Sequence, residues 1–133
     1  GLSDTRGQLD LHHGTEDQGQ STFGEHPEFT GTTRSRVDIW PFDEWLATQP
    51  SGLLNTAPLN WVAKIDVEGF EPRVLRGMRA SLKARRFRGL MVEINPFTLS
   101  LVGSSPAEIY QVMQEYDYIP LLPRGDDQSF MNQ

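Results

Sequence analysis

Cysteine is absent from this 133-residue chain. Disulfides, thiolate nucleophiles and thiolate metal ligands are therefore excluded, and a reducing, cytoplasmic setting is expected. Long apolar runs are absent too: none approaches the roughly 20 residues that a helix needs to cross a bilayer. The opening residues Gly1-Leu-Ser-Asp-Thr-Arg-Gly7 have neither a basic start nor an apolar block, so no signal peptide is expected. Two catalytic signatures are missing, the Gly-x-Ser-x-Gly elbow of serine hydrolases and the Gly-x-x-x-x-Gly-Lys phosphate loop. Positive charge is in short supply. Lys and Arg number 12 against 18 Asp and Glu, and the net charge of -6 disfavours non-specific binding of nucleic acid.

The hydrophobic (37%) and charged (23%) fractions are ordinary for a globular chain, and the length suits one domain with a modest core. Residues 1–48 read as a polar hairpin with the segment that follows it, and residues 59–133 as a βαβ core. In the first part, Leu9-Asp-Leu-His12 alternates like a strand, and Thr22-Phe23 begins another across a turn at Gly14–Gly19. These pieces have too few apolar residues to fold alone, so the hairpin is expected to lie against something larger. Arg36–Trp40 is a stronger strand, ended by Pro41, and Asp43–Leu46 reads as one helical turn. Gln49–Pro58 reads as a loop, broken by Pro50, Gly52 and Pro58.

The centre of the chain is Trp61–Met78. A short apolar run predicts a strand over 60–66. The acidic turn Asp66-Val-Glu68-Gly69 follows, and then a helix over 71–86 with Pro72 in its first turn and Val74, Leu75, Met78 and Leu82 on one face. A second strand, Arg88–Ile94, completes a parallel crossover and ends at Asn95-Pro96. Ser105-Pro-Ala-Glu108 is a capping box that starts a further helix, with Ile109, Val112, Met113 and Tyr116 on its apolar face. Tyr118–Leu122 is another strand, and Pro120 places it at an edge or bulge. Gly125–Gln128 reads as a turn before a last short strand at Ser129–Asn132. The fold class is α/β, with a mainly parallel sheet and packed helices.

In such sheets chemistry gathers at the carboxyl ends of the strands. Asp66, Glu68 and Glu93 belong to two strand ends of that kind and would form a small acidic crevice. Crowded carboxylates raise one another's pKa, and they can act as a general base, bind hydroxyl or ammonium groups, or hold a hard cation. The competing reading is structural: Asp66 caps the next helix and Glu68 faces solvent. Lys64, inside an apolar strand, calls for a carboxylate partner unless it snorkels from an edge. His12, His13 and His26 lack metal-ligand spacing and are expected at the surface as neutral imidazoles. Trp40, Trp45 and Trp61 are expected in the core. Arg73, Arg76, Arg79, Lys83, Arg85, Arg86 and Arg88 crowd one helix and its exit, either as a solvated face near the negative end of the helix dipole or as a patch for an anion.

The block Lys64-Ile-Asp-Val-Glu-Gly69, with Glu71, Val74-Leu-Arg-Gly77 and the strand Leu90-Met-Val-Glu93, resembles the FkbM family of S-adenosylmethionine-dependent methyltransferases. Weaker likenesses lie upstream at Leu2-Ser-Asp-Thr-Arg-Gly7 and Val37–Leu46, and downstream at Asp117-Tyr118, so the resemblance runs from about residue 1 to 122. It implies a seven-stranded Rossmann-like fold of which this chain carries the later part, without the first strand and its glycine-rich cofactor loop. It implies S-adenosylmethionine as cofactor, with Leu2 and Ser3 near the adenine edge. Asp66 would orient or deprotonate an acceptor hydroxyl, assisted by Glu68 and Glu93. The expected acceptor is a hydroxyl of a small molecule, glycan or lipid, with no metal and no nucleic acid. On this reading the chain alone is inactive. The alternatives are an interaction or regulatory domain that kept the fold without its cofactor half, and an acidic metal-dependent enzyme.

Overall fold

The computed structural model describes residues 1–13, 21–25, 33–50, 61–121 and 127–132. The expected loop at 51–58, the turn at 14–19, His26 and the start of the turn at 125–128 lie outside these residues. Two four-stranded sheets carry the fold. The first has the order β1-β4-β2-β3, built from β1 (Leu2–Ser3), β2 (Gly7–His13), β3 (Ser21–Thr22) and β4 (Thr33–Pro41). The strand β4 pairs parallel with β1 and antiparallel with β2, which in turn meets β3 in the expected hairpin. Pro41 has no N–H to continue the ladder, and α1 (Phe42–Ala47) starts directly after it.

The second sheet has the order β5-β6-β8-β7, from β5 (Trp61–Ile65), β6 (Phe87–Glu93), β7 (Tyr118–Pro120) and β8 (Asp127–Asn132). It is mixed, which corrects the expectation of a mainly parallel sheet. Only β5 and β6 pair in parallel; β8 is antiparallel to both of its neighbours. The reason lies in chain length. The crossover from β5 to β6 has a helical segment to carry it, but β7 and β8 are separated only by residues 121–126. A parallel connection takes a dozen residues or more, so the chain turns back on itself. Pro120 falls on the outer strand, the edge position that its missing donor predicts.

The expected helix over 71–86 is two pieces, α2 (Glu71–Gly77) and α3 (Arg79–Lys83), meeting at Met78. Their apolar face is the expected one: Val74, Leu75, Met78 and Leu82 are buried in one cluster with Ile65, Leu90 and Val92 of the sheet. The first N–H groups of α3 have no cap from their own segment. Asp43 of α1 supplies it, accepting from Ala80 N (2.7 Å), Ser81 N (3.0 Å) and Ser81 Oγ (2.5 Å). A helix not foreseen, α4 (Pro96–Leu101), follows β6, and Asn95 caps it by accepting from Phe97 N and Thr98 N. The capping box at Ser105 and Glu108 is present and begins α5 (Pro106–Glu115). Ile109, Val112 and Met113 enter the core, and the buried Tyr118 hydroxyl donates to Phe87 O at 2.8 Å.

Helices cover one face of the second sheet. On the other face Val62 is 74% exposed and Met91 is 39% exposed. The tryptophans depart from expectation: Trp40 and Trp61 are half-buried, and Trp45 is exposed, because it lies on the outer side of the short α1. His12 is buried rather than at the surface, since β3 pairs across it at Thr22. His13 bridges three strands, its ring nitrogens 3.1 Å from Ser21 Oγ and 3.0 Å from Ser35 Oγ. Within the crowd of cations, Arg76 pairs with Glu108, Arg85 pairs with Asp117, and Arg73 lies over the Phe70 ring. Among the described residues no helix is long and apolar enough to cross a membrane.

Helix α2 packs on β1 at Gly77, where a Cβ would stand 2.0 Å from Ser3 O and 3.2 Å from Pro41 Cα. Both neighbours are backbone and cannot swing aside. Gly77→Ala is expected to cost about 2 kcal/mol or more in urea unfolding. Gly7→Ala, whose Cβ would meet open space, should stay within about 0.5 kcal/mol of the unaltered chain.

Candidate active site

The turn between β5 and α2 is built around one buried carboxylate. Glu71, 2% exposed, accepts from Val67 N at 3.0 Å and from Gly69 N at 3.1 Å. Those donors precede the helix and would otherwise lack partners away from water. Glu68 takes a positive φ of 49° and Gly69 one of 102°. Glycine is required at the second position on two grounds, its backbone conformation and the approach of α4: a Cβ there would stand 2.3 Å from Thr98 O. The hairpin secures the other side of the turn. Thr22 Oγ1 donates to Glu68 O at 3.0 Å, and the Phe23 and Phe70 rings meet at 4.6 Å. The polar amino-terminal segment thus lies on the acidic turn, where it was expected to need a larger partner.

With the turn held, the carboxylates converge. In the parallel pair Ile65 is opposite Val92, so the next residues, Asp66 just past β5 and Glu93 at the end of β6, come side by side. There each acid bears on the other's hold on its proton. Lys64 Nζ lies 2.8 Å from Asp66 Oδ2 on the exposed surface of β5. The expected carboxylate partner for Lys64 is therefore present, whereas burial is not, because Lys64 lies with Val62 and Met91 on the face of the sheet that the helices leave open. The hydrogen bond from Lys64, followed by the one with Glu93, holds the Asp66 carboxyl below its ordinary range. Glu93 moves the opposite way, from 4.5 to about 7. Its hydrogen bond to Asp66 is the main cause, followed by burial and by the charges of Asp66, Glu68 and Glu71. Two carboxylates in contact cannot both ionise cheaply, and the lysine decides which of them gives up its proton first.

The structural reading of Asp66 as a helix cap does not hold: the residue at that position is Phe70, with no side-chain cap bond, and the N–H groups of the turn go to Glu71. Glu68 acts on Glu93 through its charge. Leu2 and Ser3 stand on the other sheet. Leu2 packs against the core, while Ser3 is fully buried, donates its hydroxyl to Asp4 Oδ1 at 3.2 Å and presents its carbonyl to Gly77. Glu71 and Thr22 shape the site and were not among the predicted site residues. A signal for Glu71 existed, an acid directly before Pro72 at a helix start; Thr22 carried none. Among the described residues no three acidic or histidine side chains converge to hold a metal ion.

The pattern of the methyltransferase FkbM domain matches residues 1–120. No curated protein and no solved structure matches the chain.

The proton shared by Asp66 and Glu93 predicts a pH signature. Because the folded chain binds the Glu93 proton more tightly than the unfolded chain, the stabilisation is complete below pH 4.5 and is lost as pH rises through about 7. Glu93→Gln removes that dependence. Its melting temperature relative to the unaltered chain is therefore expected to rise across this window in a thermal-shift series. A difference that is flat with pH would contradict the shared proton.

Proposed function

The chain belongs to the methyltransferase FkbM domain family, and from that membership we propose that it supplies the acceptor-side acids of an S-adenosylmethionine-dependent O-methyl transfer to a hydroxyl of a small molecule, sugar or lipid. The observation that carries the reading is the Asp66–Glu93 pair, in which one carboxyl is held near pH 7 beside another that stays ionised.

A hydroxyl is a poor nucleophile until its proton begins to leave, and a base with a pKa near the working pH removes it best. Glu93 meets that condition. When its carboxylate takes the proton of the acceptor, the proton enters a pair that already favours holding one, because Asp66 accepts the resulting O–H. Lys64 keeps Asp66 ionised, so Asp66 orients the hydroxyl and Glu93 is the base. This exchanges the leading role first assigned to Asp66. Glu68 adds negative charge at the crevice, which favours a neutral or cationic reactant over an anionic one at that point.

S-adenosylmethionine is the methyl source typical of the family. The side chains of Leu2 and Ser3 do not fit it as they stand: one is packed on the core, and the other is fully buried with its hydroxyl committed to Asp4.

Transfer of labelled methyl from S-adenosylmethionine to a panel of hydroxylated acceptors, with the protein in its native form, tests the proposal. The rate is expected to rise through about pH 7 as Glu93 ionises. Glu93→Gln should lower it about 10²- to 10⁴-fold, the usual share of a general base. Absence of transfer to every acceptor, or an unchanged rate in Glu93→Gln, would refute it.

A further inference from the structure

A second polar site lies on the first sheet, away from the acids. An open groove of about 500 Å³ is lined by Arg6, Gly7, Gln8, Arg36, Asp38 and Trp40. Arg36, Asp38 and Trp40 alternate along β4 and so share a face, and the register sets Gln8 directly opposite Asp38. We propose that this groove binds an acidic sugar, a polyhydroxylated ring bearing a carboxylate or a phosphate.

The chemistry follows from how the side chains are already held. The Arg6 guanidinium carbon sits over the Trp40 ring, 3.7 Å from its centroid. The ring restrains the guanidinium without using its N–H groups as a carboxylate partner would, so the N–H fork can serve a carboxylate or phosphate bidentately. Gln8 Nε2 donates to Asp38 Oδ1 at 2.8 Å, which steadies that carboxylate and leaves its second oxygen for a ligand hydroxyl. Arg36 is steadied likewise by Asp10 at 3.1 Å. The anion belongs at the Arg6 end and the hydroxyls at the Gln8–Asp38 end, because Asp38 would repel the anion. A neutral sugar leaves the Arg6 fork unused, and a bare anion brings no hydroxyl to the second Asp38 oxygen. Gly7 lines the groove, and a Cβ there would meet nothing within 4 Å, so a large side chain can enter the groove without disturbing packed atoms. The inference is independent of methyl transfer: the groove and the acids belong to different sheets, and binding requires no methyl donor.

Titration of the ¹⁵N-labelled chain tests it, with a galacturonate disaccharide, its neutral galactose counterpart, a hexose phosphate and inorganic phosphate as probes. The galacturonate or the hexose phosphate is expected to bind with a Kd of about 1 mM, shifting the Trp40 indole and Gly7 amide signals. Whichever binds more tightly names the anion. The galactose counterpart and inorganic phosphate should each bind at least about tenfold more weakly. Arg6→Ala should weaken binding about tenfold, and Arg6→Lys should recover only part, because an ammonium lacks the fork. Gly7→Phe should block binding without lowering the melting temperature. The proposal is overturned if neither acidic sugar binds at about 10 mM, if either control probe binds as well as the acidic sugars, or if Arg6→Ala binds normally.

Discussion

One buried carboxylate sets the local architecture on which the rest depends. Glu71 takes the N–H groups of Val67 and Gly69 and so converts the end of a parallel strand into a tight turn leading to a helix. Each of these donors, left unpaired and buried, would cost about 1–3 kcal/mol. Without the acid, the strand end and the helix start would lose their fixed relation, and Asp66 would lose its direction. The position of Glu71 at the head of α2 also suits its charge, since the helix dipole is positive there.

Backbone proximity spreads that constraint through the molecule. Gly69 brings the turn against Thr98 of α4, and Gly77, two helical turns further on, brings α2 against Ser3 of the other sheet. Helix α2 is thus fastened at both ends by contacts that admit no side chain. Asp43 adds a third tie by capping α3 from α1. The polar hairpin, which could not fold by itself, gains its place through Thr22 and Phe23 on the acidic turn. The two sheets therefore communicate through a few short contacts around α2.

The acid pair illustrates how position governs chemistry. Asp66 and Glu93 are both carboxylates at strand ends, yet their affinities for protons diverge. A lysine on the exposed outer strand favours charge on one, and that charge, with those of Glu68 and Glu71, keeps a proton on the other. An arrangement of this kind is resistant to folding noise, because Lys64 and Asp66 are two residues apart on one strand and the parallel register places Glu93 beside them.

Much of this was legible in the residues. The apolar face Val74-Leu75-Met78-Leu82, the capping box at Ser105 and the strands around Asp66 and Glu93 follow local periodicity, and local periodicity is what a sequence records directly. The carboxylate partner of Lys64 was legible because it is two residues away. What escaped depended on distant partners. The break at Met78 is stabilised by Asp43 from a different helix; the burial of His12 comes from β3; the exposure of Lys64 comes from the helices covering only the opposite face of its sheet. The reversed strand β8 reflects a connection too short for a parallel return. By itself, then, the sequence determined most of the strands, the apolar faces of α2, α3 and α5, and the identity of the acids, since these depend on the spacing of neighbours along the chain. Tertiary structure alone decided that Glu71 would hold the turn, that Glu93 rather than Asp66 would keep the proton, and that the sheet would be mixed. Hydrogen bonds, charge coupling and strand order arise only when residues far apart in the chain come within reach of one another.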